Sequence, residues 1–313
     1  MDVKTIKELL RKYNVAPLKS LGQHFLINEA ALKQIIHIAG IRRYDTIIEV
    51  GAGLGILTQE LLRYAKKVFA VEIDKGFVDI LKQKFANIPR IKIVHENILS
   101  YKENLVSPPA PRLRRAGRFA RNKNLPCGQN LVSRFARNKN LPCGQNLVSR
   151  FARNKLKAIS YKLIGNLPYN LTSQILEKFL RKEVLKPQLM VVMIQKEVAE
   201  RITATPPNMN RLALLCQYYA KPKIMLAVPP HHFWPQPKVH SSLVKIEVKK
   251  QNDLPLKKVQ EEKMWKITKQ AFSQPRKKLR NSIGLSGGTF SDKRPEELGV
   301  EEWIELTKGV VKG

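Results

Sequence analysis

Apolar positions recur along this chain with two periods. Short runs of aliphatic and β-branched residues at 46–50, 67–73, 91–94, 161–164, 189–194, 223–228 and 242–248 fit strands, those at 67–73 and 189–194 buried ones. Between them the spacing lengthens to three and four residues, which gathers the apolar side chains on one face of a helix. Such stretches run over 29–39, 56–64, 77–85, 172–185, 197–202 and 210–219, with a short one at 6–13 ahead of them. Thr172 or Ser173 is the expected cap of its helix. Strands alternating with helices predict an α/β fold, a doubly wound, mostly parallel, Rossmann-like sheet. Past residue 249 the strands stop. A polar linker at 250–256 leads to helical stretches at 259–272, 277–283 and 301–311. The expected organisation is a main domain over 1–249 and a small C-terminal helical domain over 250–313.

One segment breaks the alternation. The sixteen residues 118–133 recur at 134–149, and a third copy begins at 150 and stops at 155. Repetition of identity, at a short period, marks a duplication of coding sequence and not a solenoid. Residues 107–155 are rich in Pro, Gly and Asn, poor in aliphatics and free of acids, so a disordered basic surface loop is expected there. A basic RNA-gripping arm is the functional alternative.

Charge narrows the partner. The formal net charge is +32, and residues 107–155 contribute 12 Lys and Arg, leaving +20 elsewhere. A field of this sign favours a polyanion, nucleic acid before membrane. The N-terminal stretch carries acids and no long apolar run, so it does not read as a signal peptide. No apolar run reaches the ~18 residues of a membrane span. The three cysteines form no C-x-x-C pair, which predicts a reducing, cytoplasmic setting and no metal.

The first candidate chemistry is Glu49-Val-Gly-Ala-Gly-Leu-Gly55, a strand, a tight glycine bend and a helix. The glycines Gly51, Gly53 and Gly55 suit a backbone that must turn sharply and let a ligand approach its amides. Glu72 ends the next strand roughly 20 residues on, the spacing at which a carboxylate takes the hydroxyls of a ribose. The glycine spacing does not match the dinucleotide fingerprint. A plain turn with no ligand is the bland reading, and Glu72 weighs against it. The bend therefore predicts a nucleoside cofactor without a pyrophosphate, for which S-adenosylmethionine fits. Asn97, beyond the third strand, lies where a polar side chain reaches an adenine. Lys19-Ser-Leu-Gly-Gln-His-Phe-Leu26 precedes a helix and could close over the amino-acid end of the cofactor.

The second is Gly165-Asn-Leu-Pro-Tyr-Asn170, after another strand. An exocyclic adenine nitrogen is a poor nucleophile because its lone pair is delocalised into the ring. The side-chain oxygen of Asn166 and the backbone carbonyl of Leu167 could accept its two hydrogens and draw it towards tetrahedral geometry. Pro168 would stiffen the loop, and Tyr169 would give a face on which an extruded base stacks. Phe233, in the proline-rich loop 229–237, is the expected opposite face, and Trp234 is assigned to packing. The basic run at 276–280 is a candidate RNA-contacting face.

Taken together, Leu21-Gly-Gln-His-Phe-Leu26, Glu49-Val-Gly-Ala-Gly-Leu-Gly55, Val71-Glu-Ile-Asp74, Gly165-Asn-Leu-Pro-Tyr-Asn170 and Val228-Pro-Pro-x-x-Phe-x-Pro-x-Pro-Lys-Val239 resemble the small-subunit (16S) ribosomal RNA adenine dimethyltransferases. The likeness covers nearly the whole chain outside the repeat. It implies a methyltransferase using S-adenosylmethionine on two adjacent adenines in a hairpin near the RNA 3′ end, acting in the immature small subunit; a monomer is expected, though the residues themselves do not separate it from a dimer. By that resemblance, cofactor contacts fall on His24, Leu26, Gly51, Gly53, Glu72, Asn97 and Asn166. Two residues depart from the pattern: His24 stands where Asn is common, and Asn97 where Asp is common. The alternatives are a 23S rRNA adenine methyltransferase of the macrolide-resistance type and a non-catalytic RNA-binding assembly factor.

Overall fold

The computed structural model describes residues 2–17, 22–102 and 160–310. The repeat, predicted as a disordered loop, lies outside the described residues, as do Lys19, Ser20 and Leu21. Apart from residues 102–159, the chain forms one compact unit.

Seven strands make its central sheet. β2 (Thr46–Val50), β3 (Lys67–Glu72), β4 (Ile91–His95), β5 (Tyr161–Asn166) and β6 (Leu189–Gln195) run parallel, while β7 (Ala220–Val228) and β9 (Ser241–Val248) are antiparallel. The order across the sheet is β4-β3-β2-β5-β6-β9-β7. Strands β2, β3, β5 and β6 are buried along almost their whole length, which explains their unbroken apolar runs: helices cover both faces. β7 is an edge strand and is mostly exposed. It tolerates Pro222 because an edge position needs no donor on its free side.

Between the strands run α2 (Glu29–Ala39), α3 (Ile56–Tyr64), α4 (Lys75–Lys84), α5 (Thr172–Glu177), α6 (Lys196–Ile202) and α7 (Arg211–Tyr219), preceded by α1 (Val3–Lys12). Asp74 caps α4 by accepting from the amides of Gly76 and Phe77, so this helix starts two residues before its apolar periodicity. A second, two-stranded sheet pairs β1 (Phe25–Leu26) with β8 (Phe233–Trp234). No periodicity can announce strands of two residues, so the sequence gives no sign of this pairing.

The helix expected over 172–185 differs from expectation at both ends. Neither Thr172 nor Ser173 caps it. Thr172 is already inside the helix and donates its hydroxyl to the Pro168 carbonyl at 3.1 Å. At its far end the helix widens into a π turn over Lys178–Lys182 and stops there. The buried Lys178 ammonium lies in this turn. It donates to the carbonyls of Leu99, at 3.2 Å, and Tyr101, and pairs with Glu183 at 3.1 Å.

C-terminal helices α8 (Lys258–Ala271), α9 (Leu279–Ser282) and α10 (Val300–Val310) belong to the same compact unit. α8 is tied to α7 by Trp265, whose indole donates to the Tyr219 hydroxyl at 2.9 Å, and by the Tyr219–Glu261 hydrogen bond. Lys249, at the expected boundary, donates its ammonium to the carbonyls of Gln217 and Tyr218.

Candidate active site

The sheet order decides where a ligand can sit. From β2 the chain steps to β3 and β4 on one side, then returns to lay β5 on the other side of β2. The crevice outside the carboxyl ends of β2 and β5 is therefore the switch point of the fold, where open α/β sheets bind ligands. Val50 pairs with Gly165 across it, so Gly51 and Asn166 emerge side by side. A Cβ on Gly51 would stand 3.7 Å from the Asn166 carbonyl oxygen.

One cavity fills this crevice. Its walls include His24, Leu26, Gly51, Gly53, Glu72, Asn97 and Asn166, so the structure brings all seven expected cofactor residues together. The bend runs through three left-handed positions, with φ of +69° at Gly51, +53° at Gly53 and +70° at Gly55. A side chain on Gly53 would also press against the Phe25 ring at 3.0 Å. The Gly53 amide donates to Glu72 Oε2 at 2.8 Å, while Glu72 Oε1 accepts from the amides of Ile73 and Asp74. The carboxylate thus holds the glycine bend closed and keeps lone pairs for a ligand hydroxyl. Burial raises its pKa, although these three amides oppose the shift.

Glu49 lies deeper, fully buried on the same cavity wall beside Thr58, and among the described residues neither of its oxygens makes a hydrogen bond of good geometry. Burial pushes its pKa up to about 8, with the neighbouring Thr58 hydroxyl and amide and the Lys84 charge opposing the shift and the negative charge of Glu72 adding to it. The Glu72 carboxylate, with the largely protonated Glu49 behind it, favours a ligand that brings hydroxyls, and a positive charge on that ligand would draw Glu49 towards its ionised form. A sulfonium joined to an amino acid and a ribose has that chemistry, so these residues fit S-adenosylmethionine. Sequence reasoning uses Glu49 only to mark the motif. The signal for more is a carboxylate inside an otherwise apolar parallel strand.

The loop after β5 carries the second constellation. The Asn166 amide donates from Nδ2 to the His24 carbonyl at 2.7 Å, which fixes its orientation, and Oδ1 is left buried with no partner. Leu167 is held by its own amide on the Met193 carbonyl at 3.0 Å. Among the described residues nothing donates to the Leu167 carbonyl. The Pro168 carbonyl is already used by Leu171 and Thr172. Tyr169 is half-buried, with its hydroxyl 2.8 Å from Ser241 Oγ and its ring stacked on His24 at 5.8 Å. Ser241, like Phe25, is not singled out by the sequence.

Phe233 does not stand where the sequence placed it. Its ring is 2 % exposed, packs in the main apolar cluster and is absent from the cavity wall. Pairing of β8 with β1, which sets Phe233 opposite Leu26, turns it inward. Trp234 stacks on Phe25, with ring centroids 6.4 Å apart.

Both departures from the family pattern acquire a geometry. His24 Nδ1 donates to the Pro235 carbonyl at 2.6 Å, since a carbonyl can only accept. Asn97 Oδ1 accepts from the Leu99 amide at 2.9 Å, so the oxygen expected to meet an adenine is already engaged in a turn. That leaves the Asn97 amide as a donor.

The ribosomal RNA adenine dimethylase profile matches residues 17–308. The chain belongs to this family. Among curated relatives of the family, a ribosomal RNA small subunit methyltransferase A from Dehalococcoides mccartyi is 33% identical, over 96% of this chain and 90% of that protein. One from Alkaliphilus oremlandii is 32% identical over 99% and 97%, and one from Clostridioides difficile is 32% identical over 96% and 93%. In fold, the chain is similar to a dimethyladenosine transferase from Plasmodium falciparum, at 20% identity and a TM-score of 0.66, covering 92% of this chain and 98% of that one. A 23S rRNA methyltransferase, ErmE, also aligns at 20% identity, with a TM-score of 0.58 over 91% and 98%. The family assignment makes the chain an adenine dimethyltransferase dependent on S-adenosylmethionine. Among the described residues no helix is long and apolar enough to cross a membrane, and no cluster of His, Cys, Asp and Glu could hold a metal.

Proposed function

We propose that the chain transfers methyl groups to N6 of two adjacent adenines in the 3′-terminal hairpin of small-subunit (16S) rRNA, acting in the cytoplasm as a monomer on the immature subunit. One observation carries this reading: the buried, unpartnered Oδ1 of Asn166, beside the glycine bend at the switch point. S-adenosylmethionine, when bound, supplies an electrophilic methyl group. Glu72, Gly51, Gly53, Asn97, His24, Leu26 and Asn166 are the residues that would hold it.

The chain's own part is positioning. Asn166 Oδ1 and the Leu167 carbonyl accept the two N6 hydrogens, which localises the nitrogen lone pair and turns it towards the electrophile. Both acceptors are held in advance, Asn166 by His24 and Leu167 by Met193, so little reorganisation accompanies the reaction. No strong base is needed, because the nitrogen sheds its proton after transfer. Tyr169 supplies a stacking face for the extruded base, anchored through Ser241. Phe233, buried as it is, takes no part in that stack without movement of the loop 229–237.

Asn166→Ala tests the reading. Cofactor and RNA affinities are expected to stay within a few-fold while methyl transfer falls about a hundredfold or more, the scale for losing one preorganised polar group. Unchanged turnover rejects the assigned role. Methyl incorporation into immature small subunits, measured against naked 23S RNA, tests the substrate. Preference for 23S RNA overturns the 16S assignment.

A further inference from the structure

A second groove lies outside the cofactor cavity, about 310 Å³ in volume, lined by Lys7, Arg11 and Asn14 from the N-terminal segment and by Trp234. Lys7 and Arg11 are one helical turn apart on the exposed side of α1, whose other side buries Ile6 and Leu10 against Phe25, Leu54, Phe77 and Ile80. Among the described residues neither cation has an acidic partner. The Trp234 indole N–H and the Asn14 side chain likewise have no protein partner there. Among the described residues no carboxylate lines the groove. It is therefore a set of free donors and two cations around a half-buried aromatic ring.

Its location is as telling as its chemistry. Trp234 stacks on Phe25, and Phe25 is itself a wall of the cofactor cavity. The β1–β8 pair thus carries one residue of the cavity and one of the groove at the same register position, Phe25 opposite Trp234. Cations beside a half-buried aromatic ring, with no competing acid among the described residues, fit a phosphate joined to a base. Base–aromatic stacking with backbone neutralisation is how single-stranded nucleic acid is held without sequence readout.

We propose that this groove is a second nucleotide site, which stacks a base of the RNA substrate on Trp234 and holds its phosphate between Lys7 and Arg11. The inference rests on the RNA-methyltransferase reading above, and it assigns to the N-terminal helix a part in RNA binding separate from the chemistry at Asn166.

The three tryptophans make the test direct, because Trp265 and Trp303 are only 2 % and 0 % exposed and Trp234 is the accessible one. The full chain is titrated with an RNA hairpin carrying two adjacent adenines in its loop, while indole emission is followed. Saturable quenching is expected, and it should vanish in Trp234→Phe. The double variant Lys7→Gln, Arg11→Gln should bind the hairpin about tenfold more weakly. Its plot of log affinity against log salt should be shallower by about 0.7 for each phosphate left without a cation. Cofactor affinity and melting temperature should not change. Wild-type RNA affinity and salt slope in the double variant, or no quenching of the parent chain, overturns the proposal. So does equal quenching by poly-glutamate, which would mark a general anion-binding protein surface. If the parent chain methylates no RNA, the functional reading fails on its own, while quenching and salt slope still report on the groove.

Discussion

Asn166 shows how one hydrogen bond decides which end of a side chain is left free. An amide offers two donors and one acceptor, and here the donor end is spent on the His24 carbonyl, so the acceptor end faces the site. Asn97 shows the reverse. Its oxygen is consumed by the Leu99 amide, which an aspartate could satisfy with one oxygen while keeping the other for a ligand. Asn97→Asp should therefore tighten cofactor binding by about 1 kcal/mol, the difference between a charge-assisted and a neutral hydrogen bond. Calorimetry with S-adenosylhomocysteine measures this, and an unchanged Kd would remove Asn97 from the cofactor site. Glu49 leads to a prediction about pH. Its folded-state pKa of about 8 lies above its ordinary 4.5, so the folded chain keeps a proton that the unfolded chain releases. Its contribution to stability is complete below pH 4.5 and is lost as pH rises through about 8. Glu72 is shifted in the same direction by burial. The melting temperature of the ligand-free protein should fall between about pH 5 and pH 9, and fall less in Glu49→Gln. Parallel curves for the two proteins would mean that Glu49 is ionised throughout.

Two elements act through their backbone geometry. The glycine bend is held by three left-handed residues and by Glu72 accepting from the Gly53 amide. Gly53→Ala places a side chain where φ is positive and the Phe25 ring is 3.0 Å away. The φ strain alone costs about 1–2 kcal/mol. Cofactor affinity should fall several-fold with some loss of melting temperature, as seen by calorimetry and thermal unfolding. The π turn at Lys178–Lys182 is the other case, since such turns concentrate where a side chain must be aimed. Lys178 ties this turn to Leu99 and Tyr101, a few residues from Asn97 and at the point where the chain leaves for the repeat. Lys178→Met leaves two carbonyls without their donor and the half-buried Glu183 without its cation, and should cost about 1–3 kcal/mol in denaturant unfolding, the scale for leaving buried acceptors unsatisfied. A loss under about 0.5 kcal/mol, the scale of an exposed pair, would show that Lys178 is no anchor.

At the scale of the whole molecule, charge and topology decide different things. A net charge of +20 outside residues 107–155 predicts RNA binding that weakens steeply with salt, because each neutralised phosphate releases counterions. Filter binding from low to moderate salt measures the slope, and a flat response contradicts it. Deleting residues 107–155 should leave the melting temperature and methyl transfer close to those of the parent, since the compact unit comprises the rest of the chain. The α/β alternation, the glycine bend and the Asn-Leu-Pro-Tyr loop were legible in the sequence, because periodicity and turn chemistry act over a few neighbouring residues. Charge was legible because it is a sum. Sequence reasoning misplaced Phe233, whose burial depends on a two-residue pairing with Leu26 from the other end of the chain. It missed the role of Glu49, whose cost arises only once both faces of β2 are covered. Strand order, too, was settled only by folding. Pairing of β5 with β2 brings Asn166 beside Gly51, and that neighbourhood is non-local: it forms only when the packing of the entire sheet fixes which strands lie together.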